Sequence, residues 1–489
     1  MHDPRSTPVF PAWSHRLGPM KARLARSTVQ FRQVTLAQLE ARLGSFLPAG
    51  LLAKPAAGPH SRDRIYSLSR TFWAWVWQML NHHAPCREVV RQMQALGALH
   101  GGPVVDEGTG AYCQARARLP QSVLEKALAA SARTAARRAP ALPLLGGRAL
   151  KVVDGSGLRL ADTPANQKRF PQPTNQKPGC GFPVLKLVGC FCLASGALLA
   201  RATGSLRDSE ARLLHRLLST LQKGDVVLGD RGFGNFVIAA LLAGVGVDLL
   251  ARVPTNSRRV DFRQGRRLGR CDRIVLWRKG PHLVDWLNAA AWAALPAEME
   301  VRVLRTQVRP RGFRTRALTL VTTLLDPQLY PAAELLAAYA RRWRLELCLD
   351  DVKTTLGLGT LQCLTPALVE KELLAGLIAH NLLRCVLAEA AQVHEVPLER
   401  MSFKGTLDAL RSFSHALGQT RSARRKKELW AALLQTLARD LVPERPGRRE
   451  PRAIKRRPKY PFLTRPRQQQ RDRPRRSVRR TRANQACLI

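Results

Sequence analysis

The sequence predicts an α/β fold: a mixed sheet flanked by helices, carrying a β-rich insertion and preceded by an all-helical domain. Three observations carry this. Up to about residue 140 the apolar residues recur at helical spacing. At Arg148 the pattern switches to short apolar runs separated by glycine and polar turns, which is the grammar of strands. From Pro331 the helical period returns and holds to about Leu441.

Residues 1–30 are basic and irregular, and weak order is expected there. A helix is expected from Val34 to Leu52, followed by a linker over 55–64. Ile65–Leu80 is aromatic and apolar, with Phe72, Trp73, Trp75 and Trp77 at helical spacing. That spacing marks a core stripe rather than a platform for stacked bases. A helix begins at Cys86, and the run from Thr109 to Arg138 reads as one or two basic helices. Residues 31–146 therefore make a helical domain with a positive face, able to offer a basic helix to a DNA major groove.

The strands follow in order. ALKVVDGSGLRL is a strand ending in Asp154. VLKLVGCFCLA and ALLARATGS form a hairpin about a Ser-Gly turn. SEARLLHRLLSTL is a helix with Ser209 as its N-cap and Glu210 in its first turn. GDVVLGD is a strand ending in Asp230, FVIAALLAGVG a helix and VDLLARVP a strand. The order β-β-β-α-β-α-β, a meander leading into βαβ units, is that of a ribonuclease-H-like core. About 255–317 reads as the insertion, and LTLVTTLLD returns as a strand. One long helix then starts at Pro331, which a first turn tolerates. More helices complete a catalytic domain over 147–442. Residues 443–489 are rich in Arg and Pro and poor in apolar residues, so a disordered, solvated tail is expected.

Composition narrows the function. Lys and Arg total 80 against 35 Asp and Glu, a formal charge of +45. Codon drift explains Arg over Lys but not basic over acidic, so the partner is a polyanion, in the first place nucleic acid. The ten cysteines show no C-x-x-C pair, and reduced thiols are expected. His82 and His83 lack a second ligand pair, so no zinc is expected. No apolar run approaches transmembrane length, the N-terminus has no secretory core, and the Cys of the final ACLI fails the prenylation spacing. The expected setting is cytoplasmic, without a membrane.

Two strand-end aspartates on strands that should be neighbours suggest a metal site for phosphoryl transfer. Such chemistry needs an activated oxygen nucleophile and a neutralised phosphate, which two cations roughly 4 Å apart supply through converging carboxylates. A third acid should come from a helix across the sheet edge. Glu346 qualifies, and Asp350 is the alternative. Tyr339, Arg342, Glu346 and Lys353 fall within roughly 60° of one another on a helix advancing 100° per residue. One face thus presents an acid flanked by groups suited to gripping phosphates. The plainer reading of that face is a solvated Arg342–Glu346 pair.

Tyr339, Arg342, Glu346 and Lys353 also spell Y-x2-R-x3-E-x6-K without a gap, and this resembles the signature of the bacterial insertion-sequence transposases called family four. DGSGLRLADTPANQKRF around Asp154 and GDRGF around Asp230 resemble that family's other two acidic blocks, in the same order. The resemblance spans about residues 147–390. It implies a DDE-class enzyme in which Asp154, Asp230 and Glu346 bind two Mg²⁺, with Mn²⁺ as a substitute. It implies cut-and-paste transposition of double-stranded DNA at terminal inverted repeats, with a target DNA, a homodimer in the synaptic complex, and a place at the bacterial nucleoid. The LTLVTT strand lacks the base-flipping Trp of some relatives; Trp277, Trp286 and Trp292 come earlier. The alternatives are an inactive basic DNA-binding protein and another ribonuclease-H-like nuclease.

Overall fold

A computed structural model of the chain describes residues 40–443, except 59–60, 63, 82–83, 101–103, 254–261, 309–315 and 421, together with 463–467 and 469. The readings made for residues 1–30, for the start of the helix at Val34, for His82 and His83 and for most of the tail lie outside the described residues. The described part of the helix read over 34–52 is helical only through Phe46.

Helix α1 (Leu68–Leu80) begins at Ser67, whose hydroxyl accepts from the Arg70 N–H at 3.3 Å. α2 (Cys86–His100) and α3 (Gly110–Arg118) follow, and Pro120 separates α3 from α4 (Gln121–Arg138). A proline is tolerated at a helix start but not inside one, so the basic run folds as two helices. Phe72, Trp73, Trp75 and Trp77 are at most 1% exposed, so the aromatic run is core.

The strands come next: β1 (Leu150–Leu160), a short α5 (Pro164–Arg169), β2 (Val184–Cys192), β3 (Leu198–Gly204), α6 (Glu210–His215), β4 (Val226–Gly229), α7 (Phe236–Gly244) and β5 (Asp248–Arg252). β2 and β3 form the expected hairpin, with Gly196 at φ +70° in its turn, a conformation glycine adopts at no steric cost. β1 is antiparallel to β2 and parallel to β4, and β4 is parallel to β5. Then come β6 (Arg266–Gly269), β7 (Asp272–Arg278), α8 (Ala289–Ala293), β8 (Glu298–Val308) and β9 (Arg316–Thr322). The strands read as an insertion extend this same sheet. β9 covers the open edge of β5, and the order is β3-β2-β1-β4-β5-β9-β8-β7-β6, with β10 (Thr360–Leu361) paired to β1.

The helix read as continuous from Pro331 is segmented. It consists of α9 (Ala332–Ala340), a 3₁₀ turn over Arg341–Trp343, α10 (Arg344–Asp350) and a π turn over Asp351–Thr355. The first turn overwinds and the second underwinds, so a uniform 100° step does not hold along it. α11 (Pro366–His394) is capped by Thr365, and α12 (Phe403–Gln419) and α13 (Ala423–Arg439) follow.

α11 corrects the expectation about apolar runs. Its 29 residues are long and apolar enough to cross a membrane, but 94% of its apolar window is buried inside the protein. A helix that is apolar on all sides is here the central core helix. Asn381 ties it to the sheet, accepting from the Leu198 N–H and donating to the Leu198 carbonyl, each at 2.9 Å. One apolar core joins α1–α4, one sheet face and α9–α13. A second core lies on the other face, under α6 and α7. In the tail, Arg467 donates to Asp162 at 3.0 Å and stacks over Phe182, so this part is packed rather than solvated.

Candidate active site

The edge of β1 facing β4 is interrupted. β4 pairs with it from Leu150 to Val152, and β10 takes the same edge at Arg159 and Leu160. Asp154 stands in the gap between them. It does not end its strand, as the sequence suggested. The two glycines after it do not break β1, because pairing with β2 continues through Asp154↔Gly189 and Gly155↔Val188 as far as Arg159. What stops at Val152 is the pairing with β4. Asp230 follows Gly229, the last residue of β4. The two aspartates therefore sit at one notch in the sheet.

Each aspartate accepts from a backbone N–H one or two residues further along the chain. Asp154 Oδ1 accepts from the Gly155 N–H, and Asp230 Oδ1 from the Gly232 N–H, both at 2.8 Å. The helical segments bring Arg342 over the notch. Its guanidinium lies 3.7 Å from Asp154 Oδ2 and 3.2 Å from Glu346 Oε1, and 5.7 Å from the centre of the Tyr339 ring. Arg342 is thus a bridge between the first and third expected acids. Burial pushes the Asp154 carboxyl up; the Gly155 hydrogen bond opposes this, Asp230 adds to it, Arg342 opposes it and Glu346 adds to it. Burial alone would lower Arg342, but Tyr339, Asp154 and Glu346 outweigh it and hold its pKa above the usual value. Burial raises Tyr339, against the pull of Arg342 and Arg252.

The structure brings Asp154, Asp230, Tyr339, Arg342 and Glu346 together. Lys353, in the π turn, makes no ion pair with these acids among the described residues. Asp350 accepts from the Thr354 hydroxyl at 2.6 Å and borders a separate cavity of about 370 Å³, lined also by Arg344, Asp351 and Arg384. It is turned away from the notch.

Two further residues reach the site without having been singled out for it in the sequence. Glu210, in the first turn of α6, is half-buried; burial, then Asp230 and Asp154, push its carboxyl up, against Lys186. Arg252, at the end of β5, is lowered by burial and by the like charge of Arg231, and its charge acts on Tyr339 and Asp230. An acid in a helix's first turn and an arginine at a strand end are too common for sequence alone to mark them.

The acids at the notch offer only carboxylate oxygens, the donors that hard divalent cations take. The charges of Asp230 and Glu346 act to push the Asp154 carboxyl up, a repulsion that a bound cation relieves. Among the described residues, no three His, Cys, Asp or Glu side chains stand close enough together to hold one ion. Glu346 is turned to Arg342 instead. The donor chemistry fits a metal, with Asp154 and Asp230 as its fixed part.

The family model for the transposase DDE domain matches residues 146–382, which spans β1, β4 and the Glu346 helix. The chain is a DDE transposase. It is 27% identical over 435 residues to the transposase InsG for insertion sequence element IS4 of Escherichia coli strain K12, covering 86% of this chain and 93% of that protein. It also resembles a piggyBac transposase in a synaptic complex with hairpin DNA, with a TM-score of 0.40 and 10% identity over 84% of this chain and 85% of that one. As a DDE transposase it is a DNA-cleaving and strand-transferring enzyme that depends on divalent metal.

Proposed function

We propose that this transposase moves its element by cut-and-paste at terminal inverted repeats, with Asp154, Asp230 and Glu346 as the acids that hold two Mg²⁺, Mn²⁺ being able to replace them. The observation that carries the reading is the β1–β4 notch, where Asp154 and Asp230 meet and Arg342 joins Asp154 to Glu346. The run β3-β2-β1-β4-β5, three antiparallel strands followed by two parallel ones, supports a ribonuclease-H-like core for it.

When bound at these acids, the metal ions would supply Lewis acidity, lowering the pKa of the attacking water and offsetting charge on the scissile phosphate. The chain's own groups do the rest. Asp154 and Asp230 are fixed by backbone N–H groups, so their carboxylates need no rearrangement to present oxygen ligands. Arg342 binds carboxylates in the DNA-free protein. When a phosphate arrives, its guanidinium can exchange a carboxylate for phosphate oxygens, leaving Glu346 free to turn to the metal. Lys353 pairs with no acid among the described residues and is available to a neighbouring phosphate, and the Tyr339 ring lies 5.7 Å from the Arg342 guanidinium. Water attacks the phosphorus at the element's end and gives up a proton as the bond to the 3′ oxygen breaks and that oxygen takes one; the freed 3′-hydroxyl then attacks a target phosphorus, losing its proton as the target's own 3′ oxygen leaves and is protonated. Two ends must be held at once, which calls for a homodimer, and the site of action is the bacterial nucleoid in the cytoplasm.

The test is Asp154→Asn and Asp230→Asn on a labelled duplex carrying the element's end. Each should bind that end as wild type does and lose Mg²⁺-dependent cutting by about a thousandfold or more. Wild-type cutting by either variant would remove the assignment.

A further inference from the structure

The notch holds one carboxylate more than the three-acid reading uses. Gly155 is the residue after Asp154, and strand alternation turns it to the opposite face of β1. A Cβ placed there would lie 2.1 Å from Glu210 Oε1. Gly232 is two residues after Asp230, and a Cβ there would lie 3.5 Å from Glu210 Oε2. The Glu210 carboxylate therefore lies against β1 at Gly155 and near Gly232 after Asp230, in space that only a missing side chain at 155 leaves open. Its backbone is fixed, because Ser209 caps α6 by accepting from the Arg212 N–H at 3.1 Å.

No cation in the described structure pairs directly with this group. Glu210 makes no hydrogen bond or ion pair among the described residues. Lys186, the cation that acts on it, donates instead to the Asp208 and Leu206 carbonyls. A glutamate in a helix's first turn is ordinarily there to offset the dipole, and then points to solvent. This one lies against Gly155 and Gly232 instead, within reach of the like charges of Asp230 and Asp154, a repulsion that a bound cation would relieve.

We infer that Glu210 is a fourth acidic residue of the catalytic site, adding its charge to Asp154 and Asp230 when a divalent cation binds. It reaches the notch from the sheet face opposite to Glu346, so the cation is approached from both faces. The inference rests on the proposed metal role of Asp154 and Asp230.

Mn²⁺ titrated into the DNA-free protein by calorimetry tests it, with wild type, Glu210→Gln and Asp154→Asn side by side. Glu210→Gln should weaken Mn²⁺ binding about tenfold or more and raise the Mn²⁺ concentration for half-maximal end cleavage by a similar factor. Wild-type affinity in Glu210→Gln, with binding lost in Asp154→Asn, would overturn this inference alone. Wild-type affinity in both would overturn the metal reading of the notch. Iron-generated hydroxyl-radical cutting of the wild-type chain answers the question without a variant. Backbone cuts are expected at 209–211 as well as around 154 and 230; their absence at 209–211 would exclude Glu210.

Discussion

Arg342 spans two carboxylates, only 11% of its side chain is exposed, and its role changes with what lies beside it. On the proposed reading it screens repulsion between acids without DNA and meets phosphate with DNA. Arg342→Ala should therefore lower single-turnover cleavage of cognate ends by about a hundredfold or more, comparable to loss of one oriented charge donor. Lys353 pairs with none of the acids, so Lys353→Ala should leave the melting temperature and Mn²⁺ affinity unchanged while slowing cleavage. Full cleavage activity in that variant would end its phosphate role. His380 gives a prediction of another kind. It is buried and bonded to the Gly196 carbonyl at 3.0 Å, and burial, then Arg384, holds its pKa down at about 3, against 6.5 in the unfolded chain. Between those values the unfolded chain binds a proton that the folded protein excludes. Its contribution is thus lost as pH falls, by up to about 1.4 kcal/mol per pH unit. In His380→Phe, the fall of stability from pH 6.5 to 4 should be shallower by up to that slope in denaturant titrations. An unchanged slope would mean His380 does not titrate this way.

At the scale of elements, α11 is joined to β3 by the Asn381 amide and by Glu370, which accepts from Arg201 and Thr203, each at 2.6 Å. Asn381→Ala would leave the buried Leu198 N–H and carbonyl without their side-chain partner. It should cost about 2–5 kcal/mol in urea unfolding, with cleavage per folded molecule retained. What the sequence could show about elements follows from where the signal is local. The apolar runs ending at Asp154 and Asp230 made β1 and β4 visible, and their adjacency follows from the order of elements. The end of β1 was misplaced because Gly155 and Gly157 look like a turn, while the continued pairing to β2 is a tertiary fact. The Glu346 helix was found, but its 3₁₀ and π turns were not, since nothing in ARRWRLELCLDDVKTT marks a change of winding. Arg384, which donates to Asp351 at 2.6 Å, lies far along the chain in another helix, and such packing is not written into the helix itself. Glu210 stayed hidden because its meaning lies in a missing Cβ on another strand.

At the scale of the molecule, the formal charge of +45 sits on a chain that acts on a polyanion. Removing residues 443–489 should weaken binding to nonspecific duplex and make its dependence on salt less steep, because fewer counterions are released. An unchanged slope would leave the tail without a role in DNA contact. α1–α4 share one apolar core with the sheet and α11, so residues 40–138 and the sheet pack as one unit.

The most direct test of the central claim is the third acid, since it alone stands apart from the aspartates before DNA binds. A labelled duplex carrying the element's end would be incubated with wild type and with Glu346→Gln, in Mg²⁺ and in EDTA. Wild type should cut at the end only with metal, and Glu346→Gln should bind the end and not cut it. Cutting that persists in Glu346→Gln would contradict the account and move the third acid elsewhere.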